Sequence, residues 1–121
     1  LKVYIDALKW ADACVFCFPT WWLGMPAILK GYFDRVWRPG VAFAQPTDGG
    51  LIKPALRNLK KMGVVTTCGA PWFYNKLRGL KATCGGLGVK HLYLAQHSVY
   101  DISPEARERF ARKVEQRFAR F

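Results

Sequence analysis

Three short apolar runs alternate with helical stretches along this 121-residue chain, and this order most constrains its fold. The runs cover residues 13–18, 62–67 and 90–96, and their lengths are typical of strands. Apolar spacing and helix-start signals predict helices over residues 1–11, 26–37 and 72–84 and from Pro104 onward. Helices between strands are typical of a parallel α/β sheet covered on both faces. The first two runs show no polar alternation and are therefore predicted to be buried on both faces.

The connecting segments carry their own signals. Residues 41–54 are rich in glycine and proline and predict a loop or an irregular hairpin. The glycines that follow residue 84 are expected to end the third helix. Ser103 or Asp101 is expected to cap the last helix, with Pro104 in its first turn. The apolar face of that helix is predicted to be buried and comprises Phe110, Val114, Phe118 and Phe121.

The cysteines are Cys14, Cys17, Cys68 and Cys84. The Cys14 and Cys17 pair has the C-x-x-C spacing of zinc and dithiol sites. However, side chains three residues apart on a strand point to opposite faces, and both histidines lie far along the chain. We therefore expect no metal site and no disulfide, but reduced, buried thiols in a reducing compartment, the cytoplasm.

The chain is strongly basic, with 19 lysines and arginines against 8 acidic residues and a net charge of +11. Such a charge would favour anionic partners, but a solvated basic surface is the favoured explanation. No recognised nucleic-acid motif is present, so nucleic-acid binding is not expected. No apolar run approaches the about 18 residues that suggest a transmembrane helix, so membrane insertion is not expected.

Two motifs carry a resemblance to a known family. Residues 18–36 read F-P-T-W-W-L-G-M-P-A-I-L-K-G-Y-F-D-R-V, and residues 65–72 read V-T-T-C-G-A-P-W. They resemble the two flavin loops of the flavodoxin-like NAD(P)H:quinone oxidoreductases, and residues 101–121 resemble the C-terminal helix of that family. The resemblance implies a flavodoxin-like, three-layer α/β/α fold with a parallel sheet. Residues 1–121 would then be the C-terminal portion of one flavin-binding domain, without the N-terminal strands of the fold.

The resemblance also implies a flavin site at the carboxyl ends of two neighbouring strands, where ligands bind in doubly wound sheets. Its expected cofactor-binding residues are Pro19, Thr20, Trp21, Trp22, Leu23, Gly24, Thr66, Thr67, Cys68 and Gly69. Trp21 and Trp22 would form a wall for the ring, with nearby backbone amides as donors, and Gly24 and Gly69 would permit close approach of the backbone. Composition alone would favour the interpretation that the two tryptophans are core residues beneath a loop, and the motif resemblance favours the flavin wall.

Tyr74 is the expected catalytic residue, because it lies where relatives carry a tyrosine near the nicotinamide and the quinone. Relatives also place a histidine there, and this chain has none between Pro71 and Gly85. A simple packing role for Tyr74 therefore remains an alternative.

The implied activity is hydride transfer from NAD(P)H to a flavin, and then reduction of a quinone or a similar acceptor. FMN is the expected cofactor, with FAD as the alternative, and a homodimer is the expected assembly. A second hypothesis is a flavin-binding ancillary subunit that regulates a membrane transport system. The resemblance would place the phosphate-binding loop before residue 1 and the first strand of the fold beside residues 13–18. We therefore expect residues 1–121 alone to be inactive, colourless and prone to self-association.

Overall fold

A computed structural model describes residues 1–22, 24–46, 49–71 and 88–121. The elements in chain order are α1 (Lys2–Trp10), β1 (Ala13–Pro19), α2 (Ala27–Val36), β2 (Phe43–Ala44), β3 (Lys53–Pro54), β4 (Lys61–Thr67), β5 (Lys90–Gln96), a 3-10 helix (Val99–Asp101) and α3 (Pro104–Ala119). The predicted strands and the first, second and last predicted helices are confirmed. The predicted irregular hairpin is the short antiparallel pair of β2 and β3. The helix predicted over residues 72–84 lies outside the described residues.

The main sheet is parallel and has the strand order β1-β4-β5. Phe18 of β1 lies opposite Thr66 of β4, and Thr66 lies opposite Ala95 of β5. All three strands therefore end at the same edge of the sheet, where their following loops lie side by side. The parallel sheet and its flanking helices confirm the predicted α/β class.

The larger hydrophobic core lies on one face of the sheet. Leu8 of α1 and Val36 of α2 are almost fully buried against Met62 of β4. The Phe16 ring of β1 lies 5.1 Å from the ring of Phe33 in α2, measured between centroids. Burial of large apolar side chains contributes roughly 1.5–3 kcal/mol for each residue, so this face supplies most of the described packing.

The opposite face is covered by α3. Its Phe118 ring lies over Gly63 of β4, and a Cβ added to Gly63 would lie 2.7 Å from that ring. A larger residue at position 63 would therefore force the Phe118 ring to move. Together the two faces give the three-layer arrangement that was predicted.

The prediction that β1 is buried on both faces is wrong. Phe18 is buried and Phe16 is partly buried, but Val15 is 50% exposed and Cys17 is exposed. The reason is that β1 pairs with β4 alone among the described strands, so it forms an edge of the sheet. β4 lies between two strands, and its Met62, Gly63 and Val64 are buried as predicted, while Val65 is partly buried.

The predicted apolar face of α3 is the face that packs on the sheet, but it is less buried than predicted. Phe110, Val114, Phe118 and Phe121 are all partly buried, and none is fully buried. Phe118 packs over Gly63, and the Phe121 ring lies near the Lys61 and Lys90 side chains, but part of each apolar side chain on this face still contacts solvent. At its start, the Ser103 hydroxyl accepts a hydrogen bond from the Ala106 amide at 3.3 Å, which identifies Ser103 as the cap.

Candidate functional site

A tight turn follows β1 at the carboxyl edge of the sheet. The Trp21 amide donates to the Gly24 carbonyl at 3.1 Å, and the Gly24 amide donates to the Trp21 carbonyl at 2.9 Å. Trp22 sits at the tip of this turn with a φ of +50°, in the left-handed region that only glycine adopts without cost. The turn therefore holds a large aromatic residue in a strained backbone conformation, which is often found at functional sites.

Both tryptophans of this turn face solvent. Trp21 is 62% exposed and Trp22 is completely exposed. This exposure excludes the interpretation that they are core residues beneath a loop. They instead present an aromatic surface beside the ends of the strands, which is the type of surface that binds flat ligands.

Threonines join this turn to the end of β4. The Thr20 amide donates to the Thr67 carbonyl at 2.7 Å. The Thr66 hydroxyl donates to the Phe18 carbonyl at 2.7 Å and lies 2.8 Å from the Thr20 hydroxyl. Because a hydroxyl has one proton, Thr20 is the donor in the second pair. Thr66 is 1% exposed, so its hydroxyl links the two strands within the protein and does not face a ligand.

The loop after β4 begins at Cys68, which is buried, and its amide donates to the Gln96 carbonyl of β5 at 2.8 Å. Gly69 follows and is partly exposed. A Cβ added to Gly69 would lie 2.1 Å from Cε2 of Tyr100, so the space beside Gly69 is occupied by that ring. Glycine at position 69 therefore leaves room for the Tyr100 ring, whether or not it also permits close approach of a ligand.

Several backbone amides of these loops, those of Trp22 and Gly69 among them, remain available to a ligand. Within the described part of the chain, the amides of Trp22 and Gly69 have no hydrogen-bond acceptor. The Gly24 amide, in contrast, donates to the Trp21 carbonyl inside the turn. The edge thus offers an exposed aromatic surface together with N–H donors, including those of Trp22 and Gly69.

A third loop, which follows β5, also belongs to this edge and was missed by sequence analysis. The Val99 amide donates to the Cys68 carbonyl at 3.2 Å, and the Ser98 amide donates to the Ala70 carbonyl at 3.4 Å. Tyr100 in this loop is 87% exposed. The rule that placed the first two loops at the carboxyl edge applies equally to β5, and would have identified this loop.

The structure brings the predicted residues that it describes together at one edge. These residues are Pro19, Thr20, Trp21, Trp22, Gly24, Thr66, Thr67, Cys68 and Gly69. Leu23 and Tyr74 lie outside the described residues.

The described cysteines Cys14, Cys17 and Cys68 are all free thiols. Cys14 is partly buried and Cys17 is exposed, as expected for opposite faces of a strand. The expectation that the thiols are buried is correct for Cys68 and wrong for Cys17, because β1 lies at the sheet edge. Burial raises the pKa of the Cys14 thiol. No group of three or more potential metal ligands occurs within the described ranges.

None of the helices in the described segments is both long and apolar enough to cross a bilayer.

A family model described as the flavodoxin-like fold matches residues 2–119. The chain belongs to the flavodoxin-like fold family. This flavodoxin-like chain superposes on the Smu.1420 protein of Streptococcus mutans with a TM-score of 0.82 and 30% identity, over 95% of this chain and 63% of that one. It also superposes on an FMN-dependent NADH-azoreductase of Bacillus anthracis with a TM-score of 0.83 and 20% identity, over 98% of this chain and 60% of that one.

In sequence, the flavodoxin-like chain is similar to human ribosyldihydronicotinamide dehydrogenase [quinone], with 44% identity over 68 residues. The match covers 54% of this chain and 28% of the human protein. The chain thus spans about three fifths of the length of these solved neighbours and matches a smaller share of this curated relative. The fold and family are established by these findings, and both agree with the resemblance that the two motifs carry.

Proposed function

We propose that the whole protein is a flavin-dependent NAD(P)H oxidoreductase that reduces a quinone-type acceptor. FMN is the proposed cofactor, and a cytoplasmic homodimer is the proposed form. The observation that carries the proposal is the pair of exposed tryptophans at the end of β1, joined by hydrogen bonds to the end of β4. The names of the quinone-reducing human relative and the FMN-dependent bacterial neighbour support the same chemistry.

The residues at this edge fit a flavin ring. An isoalloxazine has flat apolar faces and a polar edge of carbonyls and ring nitrogens. Exposed Trp22 offers a surface for stacking, and the available amides of Trp22 and Gly69 offer donors for the polar edge. A bound flavin would supply the two-electron carrier between NAD(P)H and the acceptor.

The chain's own residues would bind and orient the flavin ring and would exclude water from it. The tryptophans would cover one side of the ring and keep solvent from it, which strengthens electrostatic interactions at the site. Amides at Trp22 and Gly69 would oppose the negative charge that develops along the polar edge on reduction. The Thr20 and Thr66 pair would hold the two loops at a constant separation.

The alternative of an ancillary transport subunit gains no support from the relatives named above. It predicts flavin binding without rapid turnover, so kinetics can separate the two functions. We therefore expect the whole protein, loaded with FMN, to oxidise NAD(P)H much faster when a benzoquinone is present than without it.

The first test is FMN binding, measured by flavin fluorescence in the whole protein. Trp22→Ala should weaken binding by on the order of 1–3 kcal/mol, roughly 5- to 150-fold, as expected for loss of an aromatic stacking partner. Trp10→Ala is a matched control, because Trp10 is 85% exposed but ends α1 near the opposite edge of the sheet. Equal FMN affinities for the wild type, Trp21→Ala and Trp22→Ala would contradict the site. FMN binding without quinone-dependent turnover would contradict the enzymatic function and favour the ancillary subunit.

A further inference from the structure

The contact between Tyr100 and Gly69 joins two loops of the candidate site. A Cβ at Gly69 would lie within 2.9 Å of the ring carbons Cδ2, Cε2 and Cζ of Tyr100. Non-bonded carbon atoms do not approach this closely, so the edge of the Tyr100 ring lies directly against the Gly69 backbone. Position 69 can therefore hold only glycine while Tyr100 keeps this orientation.

The backbone holds Tyr100 in this place. The amides of Ser98 and Val99, just before it, donate to the carbonyls of Ala70 and Cys68, which flank Gly69. Ser98 has a φ of +53°, in the left-handed region, and this turns the chain toward the neighbouring loop. The loop after β5 is thus hydrogen-bonded to the loop after β4 at both residues that flank Gly69.

Most of the Tyr100 ring is nevertheless not buried, because the residue remains 87% exposed. Burial of so little apolar surface contributes little to global stability, since the hydrophobic contribution scales with the area removed from water. The contact is therefore local. Its main consequence is to restrict the conformation of Gly69, whose amide has no acceptor within the described segments.

We propose that Tyr100 is a positioning residue of the flavin site, which acts by pressing its ring on Gly69 and so directs the Gly69 amide toward the bound ring. This inference rests on the proposed function. It adds a residue from a third strand end to a site that the sequence motifs place on two. The ring is the group required, because the contact uses ring carbons and not the hydroxyl.

The test uses the FMN-loaded whole protein and the variants Tyr100→Ala, Tyr100→Phe, Gly69→Ala and the double variant Gly69→Ala/Tyr100→Ala. Tyr100→Ala should weaken FMN binding by on the order of tenfold, within the range of coupling between contacting residues. It should also shift the visible absorption band of the bound flavin, which a change in stability alone does not move. Tyr100→Phe should retain both wild-type properties. Trp10→Ala is again the control, because Trp10 is an exposed aromatic residue at the end of α1, near the opposite edge of the sheet.

The double variant tests the contact itself. Gly69→Ala should weaken FMN binding because its methyl group displaces the Tyr100 ring, and the double variant should be no weaker than Tyr100→Ala. Additive losses, or an unchanged affinity and spectrum in Tyr100→Ala, would overturn the inference. If Trp22→Ala still weakens FMN in that case, the proposed function stands without it. If the wild type binds no FMN, both proposals are wrong.

Discussion

Trp22 combines two features that are rarely found together, a left-handed backbone and complete exposure of a large aromatic side chain. A residue with a Cβ in this conformation costs roughly 1–2 kcal/mol. No packing of the side chain within the described protein compensates for that cost. This combination supports the proposal that Trp22 contacts a ligand, at some expense of stability.

Substitution of Trp22 can separate the backbone from the ring. Trp22→Gly should be more stable to chemical denaturation than Trp22→Ala by about 1 kcal/mol, because glycine adopts a positive φ without strain. Both variants should lose FMN affinity equally, since both remove the ring. Urea unfolding and FMN titration measure the two effects. A less stable glycine variant would mean that Trp22 does not hold the left-handed conformation in solution.

Cys14 and Cys17 lie close in sequence but in different environments. Cys17 is exposed, whereas Cys14 is half-buried and burial raises the pKa of its thiol, which reduces the thiolate fraction at neutral pH. Iodoacetamide at pH 7.5 should therefore modify Cys17 before Cys14 and before buried Cys68, with peptide mass spectrometry as the measurement. In denaturant the three should react at similar rates. Preferential modification of Cys14 in the native protein would show that the face assignment of β1 is wrong.

At the scale of elements, α1 is joined to the segment before β4 by one side chain. Asn58 donates to the carbonyls of Leu8 and Ala11, at 3.0 and 2.7 Å, at the end of the helix. These carbonyls have no partner later in the helix, because it ends there. Asn58 therefore acts as a C-terminal cap that is distant in sequence.

Asn58→Ala should lower the free energy of unfolding by about 1–3 kcal/mol, because two partly buried acceptors lose their donors. Asn58→Asp should cost more at neutral pH, since a carboxylate would face two carbonyl oxygens. Gln116→Ala is a suitable control, because Gln116 is an exposed amide on α3. Wild-type stability in both Asn58 variants, measured by urea unfolding, would show that the two hydrogen bonds do not form.

At the scale of the whole molecule, an open groove of about 790 Å³ lies along the outer edge of β1. Its walls include Val15 and Cys17 of β1, Tyr4 of α1 and Ile28 of α2. Val15 and Ile28 are 50% and 86% exposed, so the surface is largely apolar. Among the described strands, the outer edge of β1 has no partner, and a free strand edge beside exposed apolar residues favours association between copies.

We therefore predict that residues 1–121 self-associate at micromolar concentration, and that Val15→Lys reduces this association. A charge beside the edge strand opposes pairing, and the long stem of lysine reaches solvent from a half-exposed position. Ile52→Lys is the matched control, because Ile52 is 63% exposed and is not part of the groove wall. Light scattering after gel filtration measures the mass. A monomeric wild type, or equal effects of both substitutions, would contradict the prediction.

The order of elements was predictable from sequence because it depends on local periodicity. Alternating apolar runs and helical stretches placed β1, β4 and β5 to within one residue at each end. The cap at Ser103 was predictable for the same reason, since a serine followed by proline suits a helix start. The two loop motifs also located the candidate site, because parallel strands bring their carboxyl ends to one edge.

Burial and contacts between distant residues required the tertiary structure. Residues 13–18 are apolar enough for a central strand, yet pairing with β4 alone leaves Val15 half exposed. Asn58 and Tyr100 show no local signal, because their partners lie 50 and 31 residues away, at Leu8 and Gly69. Local sequence determines the conformation of a segment, because propensities and periodicity act within a few residues. Only the packed chain decides which faces meet, because that depends on which strands are neighbours and which helix covers them.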